Sequence, residues 1–308
     1  LAFQYSVLYN RRILDEECGN SKIAPVDIGK FLESLPFRLT LGQQSAIDDI
    51  EHDLMNTRAM NRLVQGDVGC GKTVVAETAI FHAVSAGWQA AFMAPTEILA
   101  RQHFAKLSVD FAKFGMRIAL LISGLKSAER REILSGISSG DIDIIVGTHA
   151  LIQSDVEFAK LGLVITDEQH RFGVNQRKIL SEKSEAVNVL VMSATPIPRT
   201  LAATVFGDMD FSVIKSKPSN RKDIITRYAT EKSRERVYAN VYNEVKSGNR
   251  AYIVAPSIED NEESDLISAE ALYEELKIKF KGLKVGLIHG KLDKLEKERI
   301  MNEFADGS

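Results

Sequence analysis

The sequence predicts a doubly wound parallel α/β sheet, followed by a second and smaller α/β unit. Three observations carry this reading. Strand-length apolar runs alternate with helix-length segments over about 150 residues, the pattern of consecutive βα units. The runs are continuous in Val, Ile and Leu rather than alternating, as strands buried on both faces require. One glycine loop, Gly66-Asp67-Val68-Gly69-Cys70-Gly71-Lys72-Thr73, lies between such a run (Arg62–Gln65) and a helix-length stretch without Gly or Pro (Val74–Ala86).

The elements follow in order. Residues Leu1–Glu17 have apolar residues near helical spacing and end at Gly19-Asn20, predicting a helix. Asp27 is placed to cap a short helix that stops at Pro36, and Thr40 to cap a longer one reaching about Thr57. Strands are predicted at Leu63–Gln65, Gln89–Met93, Ile118–Ile122, Ile142–Val146, Leu161–Thr166 and Val187–Met192. Helices are predicted at Thr73–Ala86, Glu97–Phe114, Ser127–Ser138 and about Asn175–Ser184. Residues 215–222, Lys-Ser-Lys-Pro-Ser-Asn-Arg-Lys, are polar, contain Pro and lack periodicity, so they read as a linker. Beyond it the alternation resumes, with strands at Asp223–Ala229, Tyr252–Val254 and Lys284–His289 and helices at Lys232–Lys246, Glu262–Phe280 and Leu292–Phe304. Three strands make a small parallel sheet, and Ala305-Asp306-Gly307-Ser308 supplies no closing strand, so the second unit reads as partial.

Composition narrows the function classes. At 308 residues, with 44% hydrophobic and 26% charged content, the chain has room for one large domain or two. No apolar run approaches a membrane span, and the start, Leu1-Ala-Phe-Gln-Tyr, lacks the regions of a signal peptide. Beginning on Leu, the chain reads as a piece of something longer. Two cysteines, Cys18 and Cys70, with the second inside the glycine loop, argue for a reducing cytosol. A net charge of −3 gives no global field for nucleic acid, so any such contact rests on local groups.

The loop predicts phosphate binding. Its glycines let consecutive N–H groups turn inward as an anion nest at a helix N-terminus. Lys72 is placed for the β- and γ-phosphates and Thr73 for Mg²⁺. The run Leu163–His170 adds the hydrolytic half. Asp167 at its tip suits the Mg²⁺ water shell, and Glu168 suits the base that polarises an attacking water. A kinase with the same loop stays open, although a Glu beside the metal Asp favours hydrolysis. Cys70 is expected to be alkylation-sensitive, since a phosphate nest favours the thiolate.

Asp167-Glu168-Gln169-His170 resembles the DExH box of superfamily 2 helicases, and further stretches match that pattern in order. Phe37, Leu39 and Gln43 look like the adenine-recognition segment. Ala94–His103 looks like motif Ia, Gly147–Ile152 like Ib, and Ser193-Ala194-Thr195 like motif III. The loop, Ala94–Ala100, Asp167–Val174 and Ser193–Thr200 together resemble the RecG family of bacterial branch-migrating DNA helicases over nearly the whole chain. The translocase motor of transcription-repair coupling factors is similar, but its box usually reads Asp-Glu-Glu-Gln. Cys70 departs from the family, which usually has Ser there.

The resemblance implies two RecA-like domains, at 35–214 and, in part, at 223–308. Residues 1–34 then become a helical linker from a wedge domain that is missing. It implies nucleotide contact by Phe37, Gln43 and Gly66 through Thr73, and coupling of ATP to domain movement by Gln169, His170, Ser193 and Thr195. Contact with the DNA backbone is implied for Pro95, Thr96, Arg101, Thr148, His149 and His289. The implied cofactors are ATP and Mg²⁺, and the implied partner is branched duplex DNA (forks and Holliday junctions) in recombination and repair. A cytoplasmic monomer without membrane contact is expected. Motifs that would follow Phe304, including an arginine finger worth ~10³–10⁵ in turnover, imply slow hydrolysis by this chain alone. A nucleotide-gated interaction module without translocation is the alternative of a different class.

Overall fold

The Val/Ile runs form a seven-stranded, wholly parallel sheet in a computed structural model that describes residues 22–167, 187–195, 209–215, 224–256 and 268–307. The chain divides into two compact units, Leu1–Arg221 and Lys222–Ser308.

In the first unit a short helix α1 (Gly29–Glu33) precedes α2 (Leu41–Leu54), then β1 (Asn61–Gly66), α3 (Lys72–Ser85), β2 (Gln89–Met93), α4 (Glu97–Ala112), β3 (Ile118–Leu121) and α5 (Ser127–Ser139). There follow β4 (Ile144–Gly147), a 3₁₀ turn (His149–Ile152), β5 (Leu161–Asp167), β6 (Asn188–Ser193) and β7 (Asp210–Ile214). The strand order is β3-β4-β2-β5-β6-β1-β7. The predicted helix at 1–17 and that at 175–184 lie outside the described residues.

Strand alternation sends residues to two cores. Ala90, Phe92, Leu163 and Ile165 face a cluster with Ile47, Ile80, Leu107 and Phe111, whereas Ala91, Met93 and Val164 face Ile137 and Leu151. Every residue of β2 is buried, which is why its run carries no polar alternation. Phe31 of α1 is buried and stacks between Phe81 and Phe111, with ring centroids at 5.3 and 5.5 Å. The stretch before α2 therefore belongs to this core. Ile23 N–H donates to the Leu54 carbonyl at 2.8 Å, and buried His82 of α3 sits between Glu51 and the Ala24 carbonyl.

One strand of the sheet differs from the sequence expectation. β7 was not anticipated: Asp-Phe-Ser-Val-Ile is short, half polar and at an edge, where only one neighbour is needed. Arg62 secures it by donating to Asp53 at 2.7 Å and Ser212 at 2.9 Å, tying α2, β1 and β7 together. Next to β1 on its other edge is β6, which separates it from β5.

The second unit holds a 3₁₀ turn (Glu231–Ser233), α6 (Arg234–Lys246), α7 (Ala269–Lys279) and α8 (Lys294–Asp306). Tyr238, Leu272, Leu276 and Phe280 form its small core. The strands expected at 223–229, 252–254 and 284–289 do not form among the described residues. The physical reason is coverage. Ile224, Ile225, Tyr252, Val254 and Ile288 are exposed, and a parallel strand is stable only with both faces packed.

Candidate nucleotide site

β1 delivers the chain to Gly66, and α3 begins at Lys72. Between them Gly69 and Gly71 take φ values of +77° and +87°, a region that other residues enter only under strain. Gly71 has a second constraint, because a Cβ there would overlap Gln43 Nε2. The turn is therefore closed by α2 as well as by its own backbone.

Gln43 does that closing. Its Nε2 donates to the Cys70 carbonyl at 2.9 Å, and its Oε1 accepts from Thr40 N–H at 2.8 Å. Thr40 Oγ1 accepts from Gln43 N–H at 3.3 Å, completing a capping box at the start of α2. One end of the buried amide thus holds the loop and the other the start of α2, a role the resemblance did not supply. Phe37, six residues earlier, is 52% exposed. Within the loop, Lys72 Nζ donates to the carbonyls of Gly66 (2.8 Å) and Asp67 (3.1 Å), so its charge lies inside the turn. Asp67 Oδ1 accepts from Val68 N–H at 2.8 Å, and Val68 projects outward.

Cys70 corrects the expectation of a reactive thiolate. Its side chain is buried in the core against the Gly66 backbone and Ile214 side of β7. Burial raises the thiol pKa above its ordinary value, outweighing the opposite pull of the Lys72 charge. The Cys70 sulfur faces the core, while its carbonyl accepts from Gln43 and its N–H donates to the Asp67 carbonyl at 3.1 Å.

The carboxylate end is assembled from strand tips. Register places Gln65 level with Ser193, and Met192 level with Asp167, so β1, β6 and β5 end together. Ser193 ends β6, the strand between loop and carboxylate, and Thr195 lies two residues beyond it. Their hydroxyls are 3.1 Å apart, and Gln65 Nε2 donates to the Thr195 carbonyl at 3.2 Å. Asp167 Oδ2 accepts from His103 Nε2 of α4 at 3.0 Å. Glu168, Gln169 and His170 lie outside the described residues.

His103 was quoted within motif Ia but not singled out, and two neighbours were missed altogether. Glu77, one turn beyond Thr73 on α3, is buried and bonded to Lys106 of α4, which also donates to Asp110 at 2.7 Å. Burial raises the Glu77 pKa, opposed by the hydrogen bond and charge of Lys106 and by His103. A signal was available for both. Glu77 is the one carboxylate in the run Val74–Ala83, and His103 falls on the buried stripe Ala100, Leu107, Phe111 of α4.

Of the remaining predicted residues, Pro95, Thr96, Arg101, Thr148 and His149 belong to the first unit. β2 and β4 are neighbours, and Ala94 N–H donates to the Gly147 carbonyl at 2.9 Å, which brings Pro95-Thr96 and Thr148-His149 to adjacent strand ends. Thr96 caps α4, accepting from Leu99 N–H at 3.4 Å. Arg101 reaches Glu97 at 3.4 Å from a half-exposed position. Thr148 is buried and His149 exposed. His289 belongs to the second unit, where its Nδ1 is buried without a hydrogen-bond partner.

Phosphate and Mg²⁺ fit what is present. Gly69 and Gly71 form a backbone cradle, and Thr73 and Asp167 are hard oxygen donors. No cluster of three or more His, Cys, Asp or Glu ligands exists among the described residues. Mg²⁺, which keeps most of its waters and takes one or two protein oxygens, suits such a sparse set.

The DEAD/DEAH box helicase family matches residues 40–204, more than half of the sequence, and the chain belongs to that family. Within it, similarity is to RecG. The chain is 51% identical over 274 residues to the ATP-dependent DNA helicase RecG of Streptococcus pneumoniae serotype 4, covering 89% of this chain and 40% of that protein. It is 49% identical over 280 residues to RecG of Bacillus subtilis, covering 91% and 41%. A structure of RecG bound to a three-way DNA junction superposes with a TM-score of 0.81 at 43% identity, over 99% of this chain and 40% of that one. The chain spans about two fifths of the length of these relatives. No helix among the described residues is long and apolar enough to cross a membrane.

Proposed function

We propose that this chain is the ATP-binding motor region of a RecG-type DNA helicase, acting on branched duplex DNA in fork regression and branch migration. One observation carries the reading: a phosphate cradle and a carboxylate strand tip, on strands ending at one level, occur in a chain half identical to RecG. That likeness favours RecG over a transcription-repair coupling factor. Lys72 binds the β- and γ-phosphates, moving from the Gly66 and Asp67 carbonyls that hold it here. Thr73 and Asp167 hold Mg²⁺, which supplies charge neutralisation at the phosphates. Glu168, next in sequence after Asp167, orients and deprotonates the attacking water. Ser193 and Thr195 join the phosphate loop to the carboxylate strand through β6 and relay the state of the nucleotide. Pro95, Thr96, Arg101, Thr148, His149 and His289 contact the DNA backbone with hydroxyls, N–H groups and few cations, consistent with a net charge of −3. The protein acts as a cytoplasmic monomer.

Two measurements test this. Fluorescent ADP in Mg²⁺ should bind the wild-type chain, and Lys72→Ala should weaken binding at least about tenfold, the scale of one lost charge-assisted contact. A wild-type chain that does not bind nucleotide ends the proposal. A labelled three-way junction should bind more tightly than linear duplex of equal length; equal affinity removes the branched-DNA assignment.

A further inference from the structure

We propose that His103 is a positioning residue for the metal-binding carboxylate: its ring fixes Asp167 from α4, the helix that begins at the candidate DNA contacts Pro95 and Thr96. The inference rests on the nucleotide-site reading above.

The geometry is specific. A carboxylate only accepts, so the 3.0 Å contact to Asp167 Oδ2 makes His103 Nε2 the donor and sets the tautomer. Both side chains are largely buried, at 13% and 16% exposure, so the bond is shielded from competing water. The ring is held in turn by Phe92 of β2, with centroids 4.4 Å apart. One turn further along α4, Lys106 is bonded to buried Glu77 of α3, and that helix begins with Lys72 and Thr73. Thr73 thus sits on a helix tied to α4 by the Glu77–Lys106 ion pair, buried on its Glu77 side, and His103 of α4 extends that link to Asp167 at the tip of β5. A free Asp at a strand tip has rotamers to lose on binding; this one is already oriented. The same helix starts at Thr96, whose hydroxyl caps it.

The test is the Mg²⁺ dependence of nucleotide binding by the whole chain, measured with fluorescent ADP in wild type, His103→Phe and His103→Gln. Phe keeps the ring packing on Phe92 and removes the donor; Gln restores a donor at the reach of Nε2. Mutation of such outer partners typically weakens metal binding 10- to 100-fold, so His103→Phe should raise the half-saturating Mg²⁺ about tenfold. Its ADP affinity in EDTA should stay within about twofold of wild type, and His103→Gln should recover most of the Mg²⁺ response. Should His103→Phe melt far below wild type, His103→Asn, whose amide stops short of the Nε2 position, takes its place with the same expectation. An unchanged Mg²⁺ response in the donor-less variant, or equal loss in the Phe and Gln variants, overturns the inference. If wild type itself binds no nucleotide, the site reading fails, which is a different result.

Discussion

The two units share one kind of sequence and reach different structures. Residues 89–93 and 161–167 are apolar runs that became central strands; residues 252–254 and 284–289 are similar runs that did not pair. The difference lies in what surrounds them. β2 has β4 and β5 on its two edges and helices on both faces, so all five residues are buried. In the second unit Tyr252 and Val254 are exposed at 70% and 89%, with the Tyr252 and Phe304 ring centroids 4.5 Å apart. An apolar run is a candidate strand; neighbours on both edges and both faces make it one.

Hydrogen exchange should break or confirm this contrast most sharply. Amides of β2 and β5 should exchange only on global opening, whereas those at 252–254 and 284–289 should exchange nearly unprotected. The gap should be about 5 kcal/mol or more in apparent opening free energy. Equal protection would show that the second unit pairs its strands.

Side-chain deletion sharpens the same point at a smaller scale. Phe31→Ala removes the centre of the Phe81–Phe111 stack and should cost about 3–5 kcal/mol in denaturant unfolding of the first unit. Tyr228→Ser, at a position 94% exposed in the second, should stay within about 0.5 kcal/mol.

Next is the loop clamp. Gly71→Ala combines a left-handed backbone with overlap of Gln43, so about 1–3 kcal/mol of strain should appear as lost stability together with weakened ADP binding. Thr40→Ala removes half of the capping box and should cost about 1 kcal/mol.

The smallest effect is chemical. In a Cys18→Ser background, Cys70 should react with iodoacetamide more slowly than an exposed thiol at pH 8. Its raised pKa lowers the thiolate fraction and its burial blocks access, so urea unfolding should accelerate modification. A fast reaction in the folded chain would restore the expectation that the structure overturned.

The glycine loop and six of the seven strands were legible because each is a local pattern: glycines at fixed spacing, or an unbroken apolar run. β7 was not legible, since an edge strand needs only one partner and its run is half polar. Gln43 was read as an adenine contact because position suggested it; its hold on the Cys70 carbonyl joins residues 27 apart in sequence. His103 and Glu77 showed as polar groups on buried helix faces, but what each met lay on another element.

The sequence by itself determined the glycine loop between a strand and a helix, and the apolar strand that ends at Asp167, because spacing along one strand–loop–helix unit sets backbone geometry directly. Only the tertiary structure decided that β6 separates the two halves of the site, that Gln43 closes the loop, that Cys70 is buried, and that His103 reaches Asp167. Those facts depend on which strands lie side by side and which helices cross them. Strand order and helix packing are set by the summed burial of the whole core, and no single stretch of sequence carries that sum.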